Sequence, residues 1–200
     1  QSIADQAIKF KKSKKNTFEK KSKNIFNLFL EPSTRTTISF ELAAKKLGHN
    51  SININFEKSS LSKGESFNDT MNTLISMKPD ALIIRDRNNF SPREIEKKNK
   101  IPVINAGDGT NEHPTQALLD SYTIREKLGK IKNKKIAIIG DIAHSRVAIS
   151  NIYALQKLGA KVMLCGPSTL IPKYISSMGV QIENNIENAL KWCDVANVLR

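Results

Sequence analysis

The chain is poor in the residues that mark several specialised classes of protein. Its 200 residues include two cysteines, one tryptophan and only 6% aromatic residues. Cys165 and Cys193 lack the spacing of a metal or redox motif, which excludes a disulfide scaffold or zinc ribbon and fits a reducing compartment. No apolar run approaches the roughly 18 residues of a membrane span, and no hydrophobic signal segment opens the sequence. We therefore expect a cytoplasmic protein that does not cross a membrane.

Acidic residues are also scarce relative to basic ones, and the formal net charge is +13. Such a charge raises the possibility of nucleic-acid binding. However, only seven of the 32 basic residues are arginines, and a general bias towards lysine and asparagine explains the excess. Basic and aromatic residues do not interleave as in a base-stacking surface. We therefore expect a protein that handles small anions and does not bind nucleic acid.

Short apolar segments alternate with amphipathic segments through most of the chain. This alternation predicts an α/β fold built of βαβ units with mostly parallel sheets. The apolar runs are continuous, which predicts strands buried on both faces. Helices are expected near 35–47, 64–77, 91–98, 114–128, 145–158 and 186–192, and strands at 25–30, 51–56, 80–85, 102–105, 135–140, 161–165 and 195–199.

A polar, basic stretch at 127–135 separates four predicted strands from three. We therefore expect two domains, each a mostly parallel sheet flanked by helices, over residues 1–129 and 130–200. The sequence opens inside an apparent helix and stops directly after a predicted strand, where a parallel sheet normally continues into a loop and helix. These features predict that the second domain is incomplete and that the chain is part of a longer protein.

The loop after the first predicted strand has the composition of an anion site. Ser33 or Thr34 is a natural N-cap for the next helix, and an ordinary cap is the simplest interpretation. Arg35, however, places a cation in the first helical turn, where it opposes the helix dipole. Hydroxyls, free N–H groups and a guanidinium at one helix start are what a phosphate dianion requires. We therefore predict an anion site there.

Two further strand ends carry candidate site residues, and ligands of open α/β sheets bind at such ends. Arg85 follows a buried run and either forms a surface pair with Asp86 or enters the same crevice. Gly107 and Gly109 permit a tight turn before Pro114, which suits the first position of a helix. His113, held at this helix start with Gln116 one turn on, suits a hydrogen-bond donor aimed at a carbonyl. Metal binding by His113 is disfavoured because no second histidine has ligand spacing.

Arginine is concentrated at predicted strand ends and helix starts, where ligands of open α/β sheets bind. In a chain that prefers lysine, several arginines lie at predicted strand ends or helix starts, namely Arg35, Arg85, Arg146 and Arg200. Arginine is difficult to replace where a planar fork grips phosphate or carboxylate. Gly140 to Arg146 lacks the dinucleotide-binding pattern G-x-G-x-x-G. The distribution therefore predicts several anionic groups bound in one cleft, without a nucleotide cofactor.

These segments resemble the aspartate and ornithine carbamoyltransferase family. The sequence FLEPSTRT at 29–36 resembles the carbamoyl-phosphate signature of the whole family. The sequence NAGDGTNEHPTQALLD at 105–120, and the serine-rich loop at 59–65 with Lys63, resemble the branch that uses aspartate. The resemblance covers nearly the whole chain. It implies transfer of a carbamoyl group from carbamoyl phosphate to L-aspartate in pyrimidine synthesis, without a metal or organic cofactor.

The resemblance also implies a role for each matching residue. The phosphate would be held by Ser33, Thr34, Arg35 and Thr36, and Arg85 would reach both the phosphate and the carbonyl oxygen. Thr36, Arg85 and His113 would polarise the carbamoyl carbonyl, and Gln116 would orient its amide. The loop with Lys63 would enter a neighbouring subunit's site in a homotrimer, and either Ser59 or Ser60 would contact phosphate. Arg146 and Arg200 would bind the aspartate carboxylates.

Three alternatives stay open at this point. The acceptor could be ornithine or another amine, the chain could be a paralogue that keeps the fold without the reaction, or it could be a basic nucleic-acid-binding protein. The intact S-T-R-T, K-G-E and H-P-T-Q segments count against a paralogue without activity. The resemblance leaves open whether a regulatory or dihydroorotase partner is attached.

Overall fold

The protein is described by a computed structural model that covers residues 2–12, 21–54 and 66–199. Contacts divide the chain into two compact units. We call Lys9–Gly109 the N-terminal unit, and Gln1–Ile8 together with Thr110–Arg200 the C-terminal unit. Helix α1 (Ser2–Lys12) is divided between them. None of the helices in the described ranges has the length and apolar character needed to span a membrane.

The N-terminal unit contains a parallel sheet with the strand order β2-β1-β3-β4. The two central strands carry apolar residues on both faces, and Leu28, Leu82 and Ile84 are almost fully buried. In chain order the elements are β1 (Asn24–Phe29), α2 (Thr34–Lys46), β2 (Asn50–Ile54), α3 (Phe67–Ser76), β3 (Ala81–Asp86), α4 (Ser91–Asn99) and β4 (Val103–Asp108).

The C-terminal unit contains a second parallel sheet with the order β7-β6-β5-β8. Ile136, Ile138 and Leu164 of its central strands form a core with Ile152 and Leu155 of α6. The elements are α5 (Pro114–Leu128), β5 (Lys135–Ile139), α6 (Arg146–Lys157), β6 (Lys161–Cys165), β7 (Gln181–Glu183), α7 (Ile186–Trp192) and β8 (Val195–Val198).

The expected α/β class with two parallel sheets is confirmed, and every predicted strand and helix has a counterpart. The prediction that all strands are buried on both faces is wrong for edge strands. In β2, Asn50, Ile52 and Asn53 are exposed because this strand pairs only with β1 in the described part of the chain. Strand β7 was not predicted, since it is three residues long and mostly exposed.

The division of the chain by contacts does not coincide with the predicted boundary after residue 129. It falls between Gly109 and Thr110, because α5 packs mainly on α6 of the C-terminal unit. Contacts between residues define compact units, whereas the predicted boundary separates two domains by what they bind. The functional boundary at 129/130 therefore stays a prediction.

Candidate functional site

At the start of helix α2, the hydroxyl of the N-cap residue makes no capping hydrogen bond, and the first turn contains a basic residue but no acidic one. Ser33 is the N-cap residue, and its side chain makes no capping hydrogen bond. Its carbonyl accepts from the backbone N–H of Thr37 at 3.0 Å, which begins the helix. Arg35 is exposed in the first turn, where no acidic residue is present. The helix start therefore offers an anion a hydroxyl, first-turn N–H groups and a guanidinium.

Arg85, at the end of β3, lies beside this helix start. Its Nη1 donates to Thr36 Oγ1 at 3.3 Å and to the carbonyl of Ala106 at 3.4 Å. The backbone N–H of Leu30 donates to the Arg85 carbonyl at 2.8 Å, which holds the end of β1 against the end of β3. The structure therefore places the Arg85 side chain in contact with the first turn of α2 and with the end of β4.

Glu31 is a site residue that the sequence analysis did not single out. Its Oε1 accepts from Arg85 Nε at 2.6 Å, and the two side chains are only 19% and 15% exposed. A largely desolvated guanidinium needs an acidic partner, and a carboxylate bound at Nε fixes the plane of the fork. The sequence did contain a signal for this residue, because Glu31 is an acidic residue in the same loop after β1 as Ser33.

A buried network fixes the backbone at the end of β4. Asp108 is 1% exposed and accepts from Phe90 N at 2.6 Å and from Asn105 Nδ2 at 2.7 Å. Asn105 Oδ1 in turn accepts from the N–H of Gly107 at 2.8 Å. The carbonyl of Ala106, which contacts Arg85, lies within this braced segment. Its position is therefore set by buried hydrogen bonds and not by a flexible loop.

In the C-terminal unit, His113 is the N-cap residue of α5 and is buried. Its backbone N–H donates to Ser150 Oγ at 2.8 Å, and that hydroxyl donates to Glu112 Oε2 at 3.2 Å. Thr115 Oγ1 lies 3.3 Å from His113 Nδ1. When the threonine hydroxyl donates, the imidazole proton is on Nε2, so the ring can then act as a donor towards a carbonyl.

Gln116 and Asp120 form a second polar pair on α5. Gln116 Nε2 donates to Asp120 Oδ1 at 2.9 Å, and Asn151 Nδ2 of α6 donates to Asp120 Oδ2 at 2.8 Å. Asp120 was part of the segment quoted above but was not predicted as a site residue. The signal for it is the i, i+4 spacing from Gln116, which brings the two side chains to one face of the helix.

Arg146 is the first residue of α6, directly after the N-cap Ser145. The Ser145 hydroxyl accepts from Ala148 N at 3.2 Å, as in an ordinary cap. In the preceding loop, His144 Nδ1 lies 2.9 Å from Asp141 Oδ2. Partial burial acts to raise the pKa of Asp141, but hydrogen bonds from the side chain and backbone of His144 lower it overall.

The predicted site residues that the structure describes fall into two groups. Ser33, Thr34, Arg35, Thr36 and Arg85 belong to the N-terminal unit, and His113, Gln116 and Arg146 to the C-terminal unit. Ser59, Ser60, Lys63 and Arg200 lie outside the described residues. Within the described ranges, no group of three or more His, Cys, Asp or Glu side chains is placed to hold a metal ion.

Fold and candidate site together define a two-unit α/β protein whose strand ends and helix starts carry arginine, serine and threonine side chains. The sequence matches the family described as "Aspartate/ornithine carbamoyltransferase, carbamoyl-P binding domain" over residues 1–126. The aspartate carbamoyltransferase catalytic subunit of Flavobacterium psychrophilum is 57% identical over 176 residues, which are 88% of this chain and 57% of that protein. The corresponding subunit of Gemmatimonas aurantiaca is 46% identical over 202 residues, 99% of this chain and 63% of that protein.

The fold is also that of solved structures. Aspartate transcarbamoylase from Trypanosoma cruzi in complex with carbamoyl phosphate and aspartate matches with a TM-score of 0.83 and 32% identity. The match covers all of this chain and 69% of that one. The chain belongs to the aspartate/ornithine carbamoyltransferase family. It spans between about half and two thirds of the length of the curated relatives it matches.

Proposed function

We propose that the chain is part of an enzyme that transfers the carbamoyl group of carbamoyl phosphate to L-aspartate. The products are N-carbamoyl-L-aspartate and phosphate, in de novo pyrimidine synthesis, and no cofactor is needed. The observation that carries the proposal is the set of contacts at the start of α2, where Arg85 is held by Glu31 at 2.6 Å and reaches Thr36 at 3.3 Å. The names of the similar curated proteins support aspartate as the acceptor.

In this proposal the phosphate binds at the start of α2. The hydroxyls and backbone N–H groups of 33–36 and the Arg35 guanidinium supply hydrogen bonds and positive charge. We assign this step to the domain predicted over 1–129, in agreement with the carbamoyl-phosphate-binding description of the family match at 1–126. The exposure of Arg35 and the absence of acid in the first turn support the assignment.

The carbamoyl carbonyl is proposed to accept hydrogen bonds from Thr36, Arg85 and His113, and Gln116 orients the carbamoyl NH2. The aspartate amine attacks the carbonyl carbon and the new C–N bond forms. The C–O bond to phosphate breaks, and the departing phosphate takes up the proton that the amine loses. Donors fixed in advance stabilise the oxyanion that develops on the carbonyl oxygen. The buried N-cap position of His113 supports a donor that does not reorganise during the reaction.

The aspartate carboxylates are proposed to bind Arg146 and Arg200, and Lys63 is proposed to act in the site of a neighbouring subunit. We therefore propose a homotrimer with shared sites. Helix α2, which carries the phosphate site, exposes Ile38 and Leu42 to 49% and 51%, one turn apart on one face. An apolar face beside a shared site is suited to a subunit contact. A cytoplasmic location is supported by two free cysteines, of which Cys165 is buried.

The reaction and its acceptor are tested by one assay on the complete natural polypeptide that carries this sequence. Carbamoyl phosphate is supplied with aspartate or with ornithine, and the carbamoylated product is measured. Product with aspartate alone is expected. Product with ornithine alone would overturn the roles given to Lys63, Arg146 and Arg200. No product with either amine would favour a paralogue without activity.

The phosphate site is tested by Arg35→Ala. We expect binding of carbamoyl phosphate and inorganic phosphate to weaken by roughly 10- to 100-fold, since a charge-assisted hydrogen bond contributes about 1.5–3 kcal/mol. Arg93→Ala, an exposed arginine on α4, is the matched control and should leave affinity unchanged. Equal affinities for Arg35→Ala and the parent protein, by calorimetry, would remove the anion site from α2.

The shared site is tested by mixing two variants that each have impaired activity. If Lys63 acts in its neighbour's site, oligomers of Lys63→Ala and Arg35→Ala chains contain some intact sites and recover part of the activity. Each variant alone should stay well below the parent protein at a low concentration of carbamoyl phosphate. Verified mixed oligomers that recover no activity would contradict a site shared between subunits.

A further inference from the structure

Asp120 is an acceptor shared by three different elements of the C-terminal unit. Gln116 Nε2, on the same helix, donates to its Oδ1 at 2.9 Å. Asn151 Nδ2 of α6 donates to its Oδ2 at 2.8 Å, and Asn197 Nδ2 of β8 lies at 3.5 Å from the same oxygen. All three contacting groups are amide NH2 groups. The carboxylate is therefore a fixed point to which α5, α6 and β8 direct the same kind of donor.

This carboxylate determines which way the Gln116 amide faces. An ionised carboxylate only accepts hydrogen bonds, whereas a glutamine amide has a donor end and an acceptor end. Gln116 must therefore turn Nε2 towards Asp120, which directs Oε1 to the opposite side of the planar amide. A neutral partner such as asparagine could donate as well as accept, and would not enforce this choice. Asp120 thus makes Gln116 an acceptor for a ligand.

The hydrogen bond from Asn151 to Asp120 is accompanied by an unfavourable feature, an unsatisfied buried oxygen on the same amide. Asn151 is fully buried, and its Oδ1 has no hydrogen-bond partner among the described residues. A buried acceptor without a partner is unfavourable, yet the opposite amide orientation would place Oδ1 against the carboxylate. The Asn151 amide is therefore oriented for Asp120, and it occupies the oxygen that Gln116 does not use. With both oxygens engaged, the carboxylate cannot rotate away from Gln116.

We propose that Asp120 is a positioning residue that presents Gln116 Oε1 to the NH2 group of the substrate. It thereby selects a carbamoyl phosphate over an acyl phosphate of the same shape without N–H donors. The inference rests on the proposed function, in which Gln116 orients the carbamoyl amide. Acetyl phosphate is the direct probe, because it replaces the NH2 group by a methyl group and keeps the carbonyl and phosphate. The measured quantity is the ratio of the affinities for the two compounds.

The experiment uses the complete natural polypeptide and competitive binding of carbamoyl phosphate and acetyl phosphate. In Asp120→Asn, we expect the ratio of affinities to fall about tenfold, which is the loss of one oriented hydrogen bond. Affinity for acetyl phosphate should stay within about twofold of the parent protein. Gln116→Ala should show the same fall. The double variant should fall no further, since Asp120 acts through Gln116.

A matched control and a conservative variant separate positioning from a merely structural role. Glu126→Gln removes an exposed carboxylate from the same helix and should leave the ratio unchanged. Asp120→Glu keeps an acceptor-only group but changes the shape, whereas Asp120→Asn keeps the shape but adds a donor. Positioning by charge predicts a higher ratio in Asp120→Glu than in Asp120→Asn. A structural role predicts the reverse.

Two further outcomes would overturn the proposal. Equal losses of affinity for both phosphates in Asp120→Asn would show that Asp120 does not act on the NH2 group. An unchanged ratio in Gln116→Ala would also overturn the proposal, and this test remains available if Asp120→Asn fails to fold. Absence of carbamoyl transfer by the parent polypeptide is a different result, because it refutes the proposed function and leaves the orientation of Gln116 to be measured by binding alone.

Discussion

Replacement of Glu31 by glutamine should lower stability and catalysis but strengthen the binding of phosphate. Glu31 Oε1 is 2.6 Å from Arg85 Nε, and both side chains are mostly buried. The substitution keeps the size of the side chain and removes its negative charge. Its first effect is on the free protein, where a largely desolvated guanidinium loses its acidic partner. Its second effect is on the bound anion, which no longer shares Arg85 with a carboxylate.

The magnitudes follow from burial and distance. Removal of one partner from a fully buried ion pair costs about 3–5 kcal/mol, and with 15–19% exposure we expect a smaller loss of roughly 1–3 kcal/mol in the free energy of unfolding. A phosphate dianion bound on the far side of the guanidinium lies about 6–7 Å from Glu31, where the screened repulsion is about 1 kcal/mol. Phosphate affinity should therefore rise about fivefold. The turnover number should fall roughly 10- to 100-fold, because the fork of Arg85 is no longer held in its plane.

Three measurements on one variant test this reasoning. Urea unfolding with and without phosphate should show a deficit that shrinks as phosphate fills the site, because ligand binding adds RT ln(1 + [L]/Kd) to stability. Calorimetry measures the affinity for phosphate, and the steady-state assay measures turnover. Glu41→Gln is the control, since Glu41 forms an exposed ion pair with Lys45 on α2, and little change is expected. A variant that binds phosphate more weakly and unfolds like the parent would refute the role of Glu31.

Three other substitutions test separate parts of the structure. Gly109→Ala should lower the free energy of unfolding, measured in urea, by about 2 kcal/mol. Gly109 has φ +47°, and a Cβ at this position would collide with Asn89 Oδ1. An unchanged midpoint would contradict the left-handed turn. Ser150→Ala removes the acceptor of the backbone N–H at the N-cap of α5 and should cost about 1–3 kcal/mol, with faster exchange of that amide proton. The backbone N–H of Asn185 lowers the pKa of Glu183 below its ordinary 4.5, so its stabilisation is present above pH 4.5 and is lost as the pH falls through the folded-state pKa. Glu183→Gln should therefore reduce stability at pH 7, and by less as the pH falls through the folded-state pKa; an NMR titration that places the pKa of Glu183 above 4.5 would contradict this.

The layout of the fold was predictable because its signals are local. Leu82, Ile83 and Ile84 form an apolar run without alternation, which identifies a central strand of a parallel sheet. Pro114 and the N-cap serines mark helix starts within two or three residues. Strand β7 (Gln181–Glu183) was not predicted because it is an exposed edge strand of three residues that is held by pairing with β6. Pairing between distant segments leaves no periodicity in the sequence.

Two candidate site residues could be singled out from the sequence because they contradict their local setting. Arg35 stands in a helical turn that disfavours cations, and Arg85 follows a buried run, so both needed an explanation beyond local structure. In the structure Arg35 lies in the first turn of α2, which contains no acidic residue, and the anion site at this helix start stays a prediction. His113 before Pro114 was predicted at a helix start in the same way, and it is the N-cap residue of α5.

The contacts between these acceptors and donors that are distant in the sequence could not be predicted. Glu31 and Arg85 are 54 residues apart, and Asn151 and Asp120 are 31 apart, so neither pair has a local pattern. Each acidic residue, taken alone, is typical of a solvated surface. The cost of burying a guanidinium or an amide nevertheless requires that acceptors exist. A buried donor in a predicted site therefore implies an acceptor whose identity only the fold can supply, and in this protein those acceptors are the residues whose substitution is expected to separate binding from catalysis.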